Sequence, residues 1–319
     1  MTLLPLKHHH RWTILLLLLL LLTTTHAFDI NGKVALVTGA SGGIGAGIAK
    51  RLAQEGALVW IHYHTRRDGA LATQQAIQQQ QQSPQSVLGI VSCDFRHDPN
   101  IHDMVQQLGQ RPIDILINNA GMITKAALED EDNGLTLWKE TLQVNLHAPL
   151  LLSKLLRDAR MQQQKENGSK DDGMVIVNIS SIHGQRSNEY MGAYAASKAA
   201  LDSLTRTLAM EWANDGIRVN GVAPGVVPVE RTAQAFSQPA AKAWLDHLPT
   251  GQWGTVQQVA NATIPLITNN WITGTTWTVD GGMSARSNMP QRTKPPPPPP
   301  SLTTDICTKV ILEKTPSKA

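Results

Sequence analysis

The tightest constraint in the chain is a short apolar run that ends on glycines. Residues 33–38 lead into Thr38-Gly39-Ala40-Ser41-Gly42-Gly43-Ile44-Gly45, and apolar residues then recur at helical spacing at Ile48, Ala49 and Leu52, before Gly56. A continuous apolar run of this length reads as a strand buried on both faces, as in a parallel sheet. The glycines let the next turn bend tightly and approach a diphosphate. The helix N-terminus presents N–H groups and positive potential to it. Strand, glycine turn and helix together form the context that a nucleotide-binding fingerprint requires.

The pattern repeats along the chain. Residues 57–63, 86–91, 113–117, 174–179, 217–222 and 275–279 read as six further strands. Helical spacing fills the intervals, with long helices over 135–160 and 190–214 and a polar surface loop over 161–173. Alternating strands and helices predict an α/β fold, a doubly wound, seven-stranded parallel sheet between two helical layers. Apolar residues make up 41% of the chain and charged ones 17%, which suits a globular core with a soluble surface. The net charge is only +3 and the cations are scattered, so no nucleic-acid footprint is expected. Cys93 and Cys307 are too few and too far apart for a disulfide framework or a metal site.

The two ends stand apart from this pattern, leaving 29–283 as the folded domain. Within residues 1–28, Lys7 and Arg11 precede the apolar run 14–22 and three threonines. A membrane-spanning helix needs ~20 apolar residues, so the leader reads as a secretory signal peptide cut after Thr25-His26-Ala27. An uncleaved signal anchor is the alternative, and it would be the chain's only membrane tether. Either predicts a secretory or endomembrane location. Phe28 directly after the cut also resembles plastid presequences. Residues 284–319, with prolines from 295 to 300, read as a disordered tail.

Two local features carry chemistry. The strand ending at Tyr63 is followed by His64, Arg66 and Arg67. An acid at that strand end would hold a ribose diol and repel a 2′-phosphate, whereas an arginine would pair with the phosphate. Further on, Tyr194 and Lys198 stand four apart in an alanine-rich helix and share one face of it. A tyrosine loses its proton near pH ~10. A cation held close lowers that value and suits the phenol to acid–base work.

From about Gly32 to Met283 the chain resembles the short-chain dehydrogenase/reductases, nearest to the ketoacyl reductases and the sugar and polyol dehydrogenases. The matching pieces are Thr38-Gly39-x-x-x-Gly43-x-Gly45, Asn118-Asn119-Ala120-Gly121, Asn145, Ser181, Tyr194-x-x-x-Lys198 and Pro224-Gly225, in that order. The resemblance implies a Rossmann fold with bound nicotinamide dinucleotide. NADP(H) is expected before NAD(H), because Tyr63 replaces the acid. It implies hydride transfer between the nicotinamide and a small ketone or secondary alcohol, and a homodimer or homotetramer. In the implied tetrad, Ser181 orients the substrate oxygen, Tyr194 exchanges its proton, Lys198 lowers the tyrosine pKa and Asn145 offers a backbone carbonyl to a water. Pro149 has no N–H to occupy that carbonyl. Cofactor contacts are implied at Thr38, Gly39, Ser41, Gly43, Ile44 and Gly45 in the glycine turn. Others fall at Tyr63, His64, Arg66 and Asp94 around the adenosine end, and at Asn118, Ala120 and Gly121 after the fourth strand. Tyr194, Lys198, Pro224, Gly225 and Val227 complete the set. Val229 stands where the family often has threonine, with Thr232 three residues further on. Residues 226–253 are expected to form a mobile substrate lid. The rival expectation is a catalytically silent NADP-binding scaffold on the same fold.

Overall fold

A computed structural model of the chain describes residues 27–127, 134–168 and 173–286. Seven parallel strands form one sheet in the order β3-β2-β1-β4-β5-β6-β7. They are β1 (Val34–Val37), β2 (Leu58–Tyr63), β3 (Val87–Ser92), β4 (Ile115–Asn118), β5 (Met174–Ile179), β6 (Ile217–Pro224) and β7 (Thr276–Val279). All seven expected strands are present, with ends moved by one or two residues. The expected doubly wound three-layer fold is therefore observed.

Successive side chains of β1 supply opposite layers, which is why its sequence is apolar without alternation. Ala35 and Val37 join a core that includes α1 (Gly43–Gln54), α2 (Arg67–Gln81) and, late in the chain, the helix Val256–Thr268. Val34 and Leu36 join the core on the other face. There they meet α3 (Asp98–Gln107), and the helices Ala148–Asn167 and Gly192–Glu211 complete the layer. From β1 the chain winds outward through β2 and β3, then crosses back to place β4 on the other side of β1. The crevice between the C-terminal ends of β1 and β4 is the switch point where ligands of such sheets bind.

Three expectations about helices need correction. Residues 135–160 do not form one helix. They form α4 (Gly134–Leu142), a π turn (Gln143–His147) and α5 (Ala148–Asn167). Residues 161–167, expected in a surface loop, continue α5. They contain no breaker, Gln162 donates to Glu166 one turn on, and the helix stops only at Gly168, whose φ of 65° suits glycine. The helix bearing Tyr194 is α6 (Gly192–Glu211), which starts later than expected because Tyr190 takes a left-handed φ of 65°.

The fold also starts one residue early. Phe28 is buried, donates its N–H to the Thr268 carbonyl at 2.9 Å, and lies between Lys33 and Arg218. At the other end, Ser284 and Ala285 still belong to it, since the Ser284 N–H donates to Asp280 Oδ2. The leader and proline-rich tail otherwise lie outside the described residues.

A buried charge pair fixes the sheet's lower edge. Arg160, 2% exposed, donates to the Ile113 carbonyl and to Asp114 Oδ1, while Asp114 Oδ2 accepts from the Val34 N–H at 2.8 Å. This contact ties α5 to the starts of β1 and β4. Removing one partner of a buried pair leaves the other uncompensated. Arg160→Leu is expected to lower unfolding free energy by about 3 kcal/mol in urea titration. A loss below about 1 kcal/mol would mean that the pair does not hold these strands.

Candidate active site

The crevice is laced shut at its base by one threonine and one asparagine. Thr38 Oγ1, at the end of β1, accepts from the N–H groups of Asn119 and Ala120 at 2.9 Å each and donates to the Ile117 carbonyl. Asn119 Nδ2 returns two bonds, to the carbonyls of Thr38 and Gly39. The fit leaves no room for a side chain on Gly39, whose φ is 64° and whose Cβ would lie 2.9 Å from Ala120 Cα. A Cβ on Gly45 would strike Asn119 Nδ2 and the Gly39 carbonyl. The glycines here are thus required by backbone approach.

His62, in the middle of apolar β2, supports the same turn from below. Its Nδ1 accepts from the Gly39 N–H at 3.0 Å and its Nε2 donates to the Cys93 carbonyl at 3.1 Å. The ring stacks on Phe95 at 4.4 Å. Burial lowers its pKa to about 4, so the ring is neutral and one nitrogen is free to accept. The sequence reading passed over His62, although a lone ionisable residue inside an apolar strand was a usable signal.

At the adenosine end, Tyr63 is half-buried against the core. The exposed Arg66 lays its guanidinium over the glycine turn, where a Cβ on Gly42 would lie 3.2 Å from both of its Nη atoms. His64 Nε2 stands 3.4 Å from Asp94 Oδ2. Asp94 is gripped by Arg96 at 2.7–3.0 Å, which holds its carboxyl down near 2. Ser41 and Ile44 keep their expected places in the turn; the Ser41 carbonyl crowds Gly69, and Ile44 packs on the core.

Asn118 behaves differently from its neighbours. Its side chain turns into the core, donating to Asn178 Oδ1 at 2.9 Å and Ser153 Oγ at 3.2 Å. The asparagine side chain that serves the crevice is that of Asn119.

The reacting groups gather above the ends of β4 and β5. Ser181 follows β5; its Oγ accepts from the His183 N–H at 3.2 Å and lies close enough to the Tyr194 phenol to oppose the rise of its pKa. Lys198 is buried, donates from Nζ to the Ile179 carbonyl at 2.8 Å, and sits 5.7 Å from the Tyr194 ring centroid. Gly121 faces both the lysine and Asn145: a Cβ there would lie 3.7 Å from Lys198 Nζ and 3.2 Å from Asn145 Oδ1. Asn145 is wholly buried, and its side chain is engaged by the Met122 backbone and Ser197 Oγ. Pro149 lacks the N–H that would take the Asn145 carbonyl in an α-helix, and this stretch is a π turn, with the Ala148 N–H reaching the Gln143 carbonyl. Ser180, by contrast, packs inward and donates to the Lys198 carbonyl at 3.4 Å.

The expected effect of Lys198 on Tyr194 is not found. Burial pushes the phenol above its ordinary value, and the main opposition comes from the Ser181 hydrogen bond, then the Arg231 charge. Burial lowers Lys198 to about 8, and Asp202, one turn further along α6, resists the fall. The lysine is turned to a backbone carbonyl, so its charge is spent there. Asp202 itself is held by Thr276 Oγ1 at 3.2 Å.

On the far side, Gly225 donates to the Val279 carbonyl, and a Cβ on it would lie 2.7 Å from Asp280 Cβ, so Pro224 and Gly225 pass tightly over β7. Val227 lines a cavity of about 220 Å³ with Thr250, Trp253 and Gln258. Thr232 does not replace the missing threonine at Val229. Its hydroxyl accepts from the Val229 N–H at 3.0 Å and shapes the local turn instead. Glu230 was not foreseen: its Oε2 accepts from the Gly43 N–H at 3.0 Å. A lid carboxylate thus takes the anion position at the start of α1. With the glycine cradle and Arg66, this is a site whose residues fit a phosphate-bearing dinucleotide.

Comparison with known proteins agrees with this geometry. Residues 39–284 match the family model adh_short_C2, described as Enoyl-(Acyl carrier protein) reductase. The chain belongs to the short-chain dehydrogenase/reductase family. It is 34% identical over 259 residues to 3beta-hydroxysteroid dehydrogenase 1 of Eggerthella lenta, covering 80% of this chain and 95% of that protein. It is also 34% identical over 266 residues to 2-dehydro-3-deoxy-D-gluconate 5-dehydrogenase of Bacillus subtilis, covering 82% and 98%. A gluconate 5-dehydrogenase from Burkholderia cenocepacia, solved in complex with NADP and tartrate, superposes with a TM-score of 0.70 at 27% identity, covering 82% and 99%. The Pseudomonas aeruginosa RhlG/NADP active-site complex gives a TM-score of 0.71 at 30% identity, covering 82% and 100%.

Glu230 and a phosphate oxygen compete for the Gly43 N–H. Glu230→Gln is therefore expected to tighten NADPH binding by about two- to fivefold, the scale of an exposed ionic contact. Fluorescence titration of NADPH checks this, and weaker binding by the variant would show that Glu230 aids the cofactor instead.

Proposed function

We propose that the protein is an NADP(H)-dependent oxidoreductase that transfers a hydride between the nicotinamide and a ketone or secondary alcohol. The observation that carries the reading is Ser181 and Tyr194 side by side next to buried Lys198, set across the crevice from the glycine cradle. The relatives are named as dehydrogenases, and two structural neighbours are NADP complexes. Arg66 over Gly42, with Tyr63 at the strand end, supports the phosphorylated cofactor.

When bound, the cofactor supplies or accepts the hydride. Everything else falls to this chain. Ser181 Oγ and the Tyr194 hydroxyl both face the substrate oxygen, so developing negative charge meets two donors. Tyr194 gives its proton to that oxygen in reduction and takes it back in oxidation. Its raised pKa keeps the proton on the phenol at neutral pH, the form that reduction needs. Lys198 would hold the cofactor ribose in place of its Ile179 contact, which would bring its charge toward the phenol. The Asn145 carbonyl, which Pro149 has no N–H to occupy, would accept from a water that returns protons to this chain of groups.

A silent scaffold has no chemical use for this arrangement, and a mutation separates the two readings. Tyr194→Phe should retain NADPH binding while losing turnover of every carbonyl that the wild type reduces. Equal rates in a carbonyl panel would sink the assignment. The charge on Lys198 sets a second expectation. kcat/KM should fall as pH rises through about 8, where the free enzyme's lysine loses its proton. Asp202→Asn removes the charge that keeps that value up, so the alkaline limb should move to lower pH. An unmoved limb would exclude Lys198 as its source.

A further inference from the structure

One buried residue grips two consecutive amides of the glycine turn. His62, 2% exposed, accepts from the Ala40 N–H through its own carbonyl at 2.8 Å. It accepts from the Gly39 N–H through its ring Nδ1 at 3.0 Å. The other ring nitrogen, Nε2, donates to the Cys93 carbonyl at 3.1 Å, and the ring lies flat on Phe95 with the two planes 6° apart. An amide can only donate and a carbonyl can only accept. These partners therefore fix the neutral tautomer that carries its hydrogen on Nε2.

The placement follows from the sheet order. β2 lies between β1 and β3, so a residue near its end stands between the loops that follow those two strands. One loop is the glycine turn. The other, running from Cys93 to Phe95, carries Asp94. A strand buried on both faces has no packing need for an imidazole, and an apolar side chain would avoid the cost of desolvating it. What the ring does instead is complete the hold on Gly39. The Gly39 carbonyl is taken by Asn119 Nδ2 at 3.2 Å, and its N–H by His62. Glycine at a φ of 64° has a wide choice of other conformations. Bonds at both of its ends remove that choice.

We propose that His62 is a positioning residue for the dinucleotide: Nδ1 holds Gly39, and with it the glycine turn, in the form that receives the diphosphate, while Nε2 keeps the turn in register with the Asp94 loop. The proposal rests on the cofactor reading above. It requires no contact between His62 and the ligand.

Two substitutions take the ring apart. Asparagine carries an amide oxygen as many bonds from the backbone as Nδ1, so His62→Asn can still accept from Gly39 but falls short of Cys93. His62→Gln carries an amide nitrogen that reaches as far as Nε2, so it can still donate to Cys93 but offers Gly39 nothing. Each variant gives up one hydrogen bond, and their urea unfolding midpoints should fall alike. Fluorescence titration of the full chain with NADPH should nevertheless separate them. The dissociation constant is expected to rise about tenfold in His62→Gln and to stay within about twofold of the wild type in His62→Asn. A residue that served only to stabilise the sheet would weaken both variants equally. Equal affinities in the two variants, or wild-type affinity in His62→Gln, overturn the proposal.

A measurement on the wild type needs no variant to fold. Hydrogen exchange at the Gly39 amide should already be slow without NADPH, because His62 holds it beforehand. Fast exchange there that slows only when NADPH binds overturns the proposal as well. If the wild type binds no NADPH at all, the cofactor reading falls and takes this proposal with it. If it binds and the two variants do not differ, this proposal falls alone.

Discussion

The structure depends on one hydroxyl. Thr38 Oγ1 joins the end of β1 to the backbone that leaves β4, two strands that are neighbours in space but 79 residues apart in the chain. It accepts two N–H groups that the turning backbone would otherwise leave without partners in a closed crevice. Asn119 returns the favour to the carbonyls of the glycine turn. Only with both strand ends pinned can the glycine turn open toward a ligand and Gly121 face Lys198 and Asn145. Cofactor cradle and proton-transfer groups are thus parts of one hydrogen-bonded frame.

Much of this frame was legible in the residues. The apolar runs gave all seven strands, because strands buried on both faces need apolar residues at every position. Pro149 marked a break in the regular helical hydrogen bonding around Asn145, since a missing donor is a local fact. The π turn that accommodates it was not foreseen: it needs the register of the flanking helices, and a polar, breaker-free sequence such as 161–167 reads equally as helix or loop. Contacts across long loops were also out of reach. Glu230 reaches Gly43 over 187 residues, and no local pattern marks that pairing. The pKa of Tyr194 failed for a related reason. Spacing put a lysine near it, but burial and the direction in which the lysine points decide its proton affinity, and both come from tertiary structure.

The segment after β6 illustrates how one position can serve two purposes. Val229 replaces a polar residue that the family often has there, and its side chain packs beside Gly43. Thr232 then binds the Val229 backbone, which sets the turn that sends Glu230 to the Gly43 N–H. A change in that turn is carried to the start of α1 through backbone geometry.

The neutral imidazole under the glycine turn sets an acid boundary. An unfolded chain takes up a proton at His62 once pH falls below its ordinary 6.5, while the folded chain resists until about 4. Across that interval the unfolded state gains protons that the native state refuses, so stability declines steadily as pH drops. Below it the ring would be protonated on both nitrogens and could no longer accept from Gly39. Acid therefore acts on this protein from beneath its glycine turn, at a residue buried in the sheet.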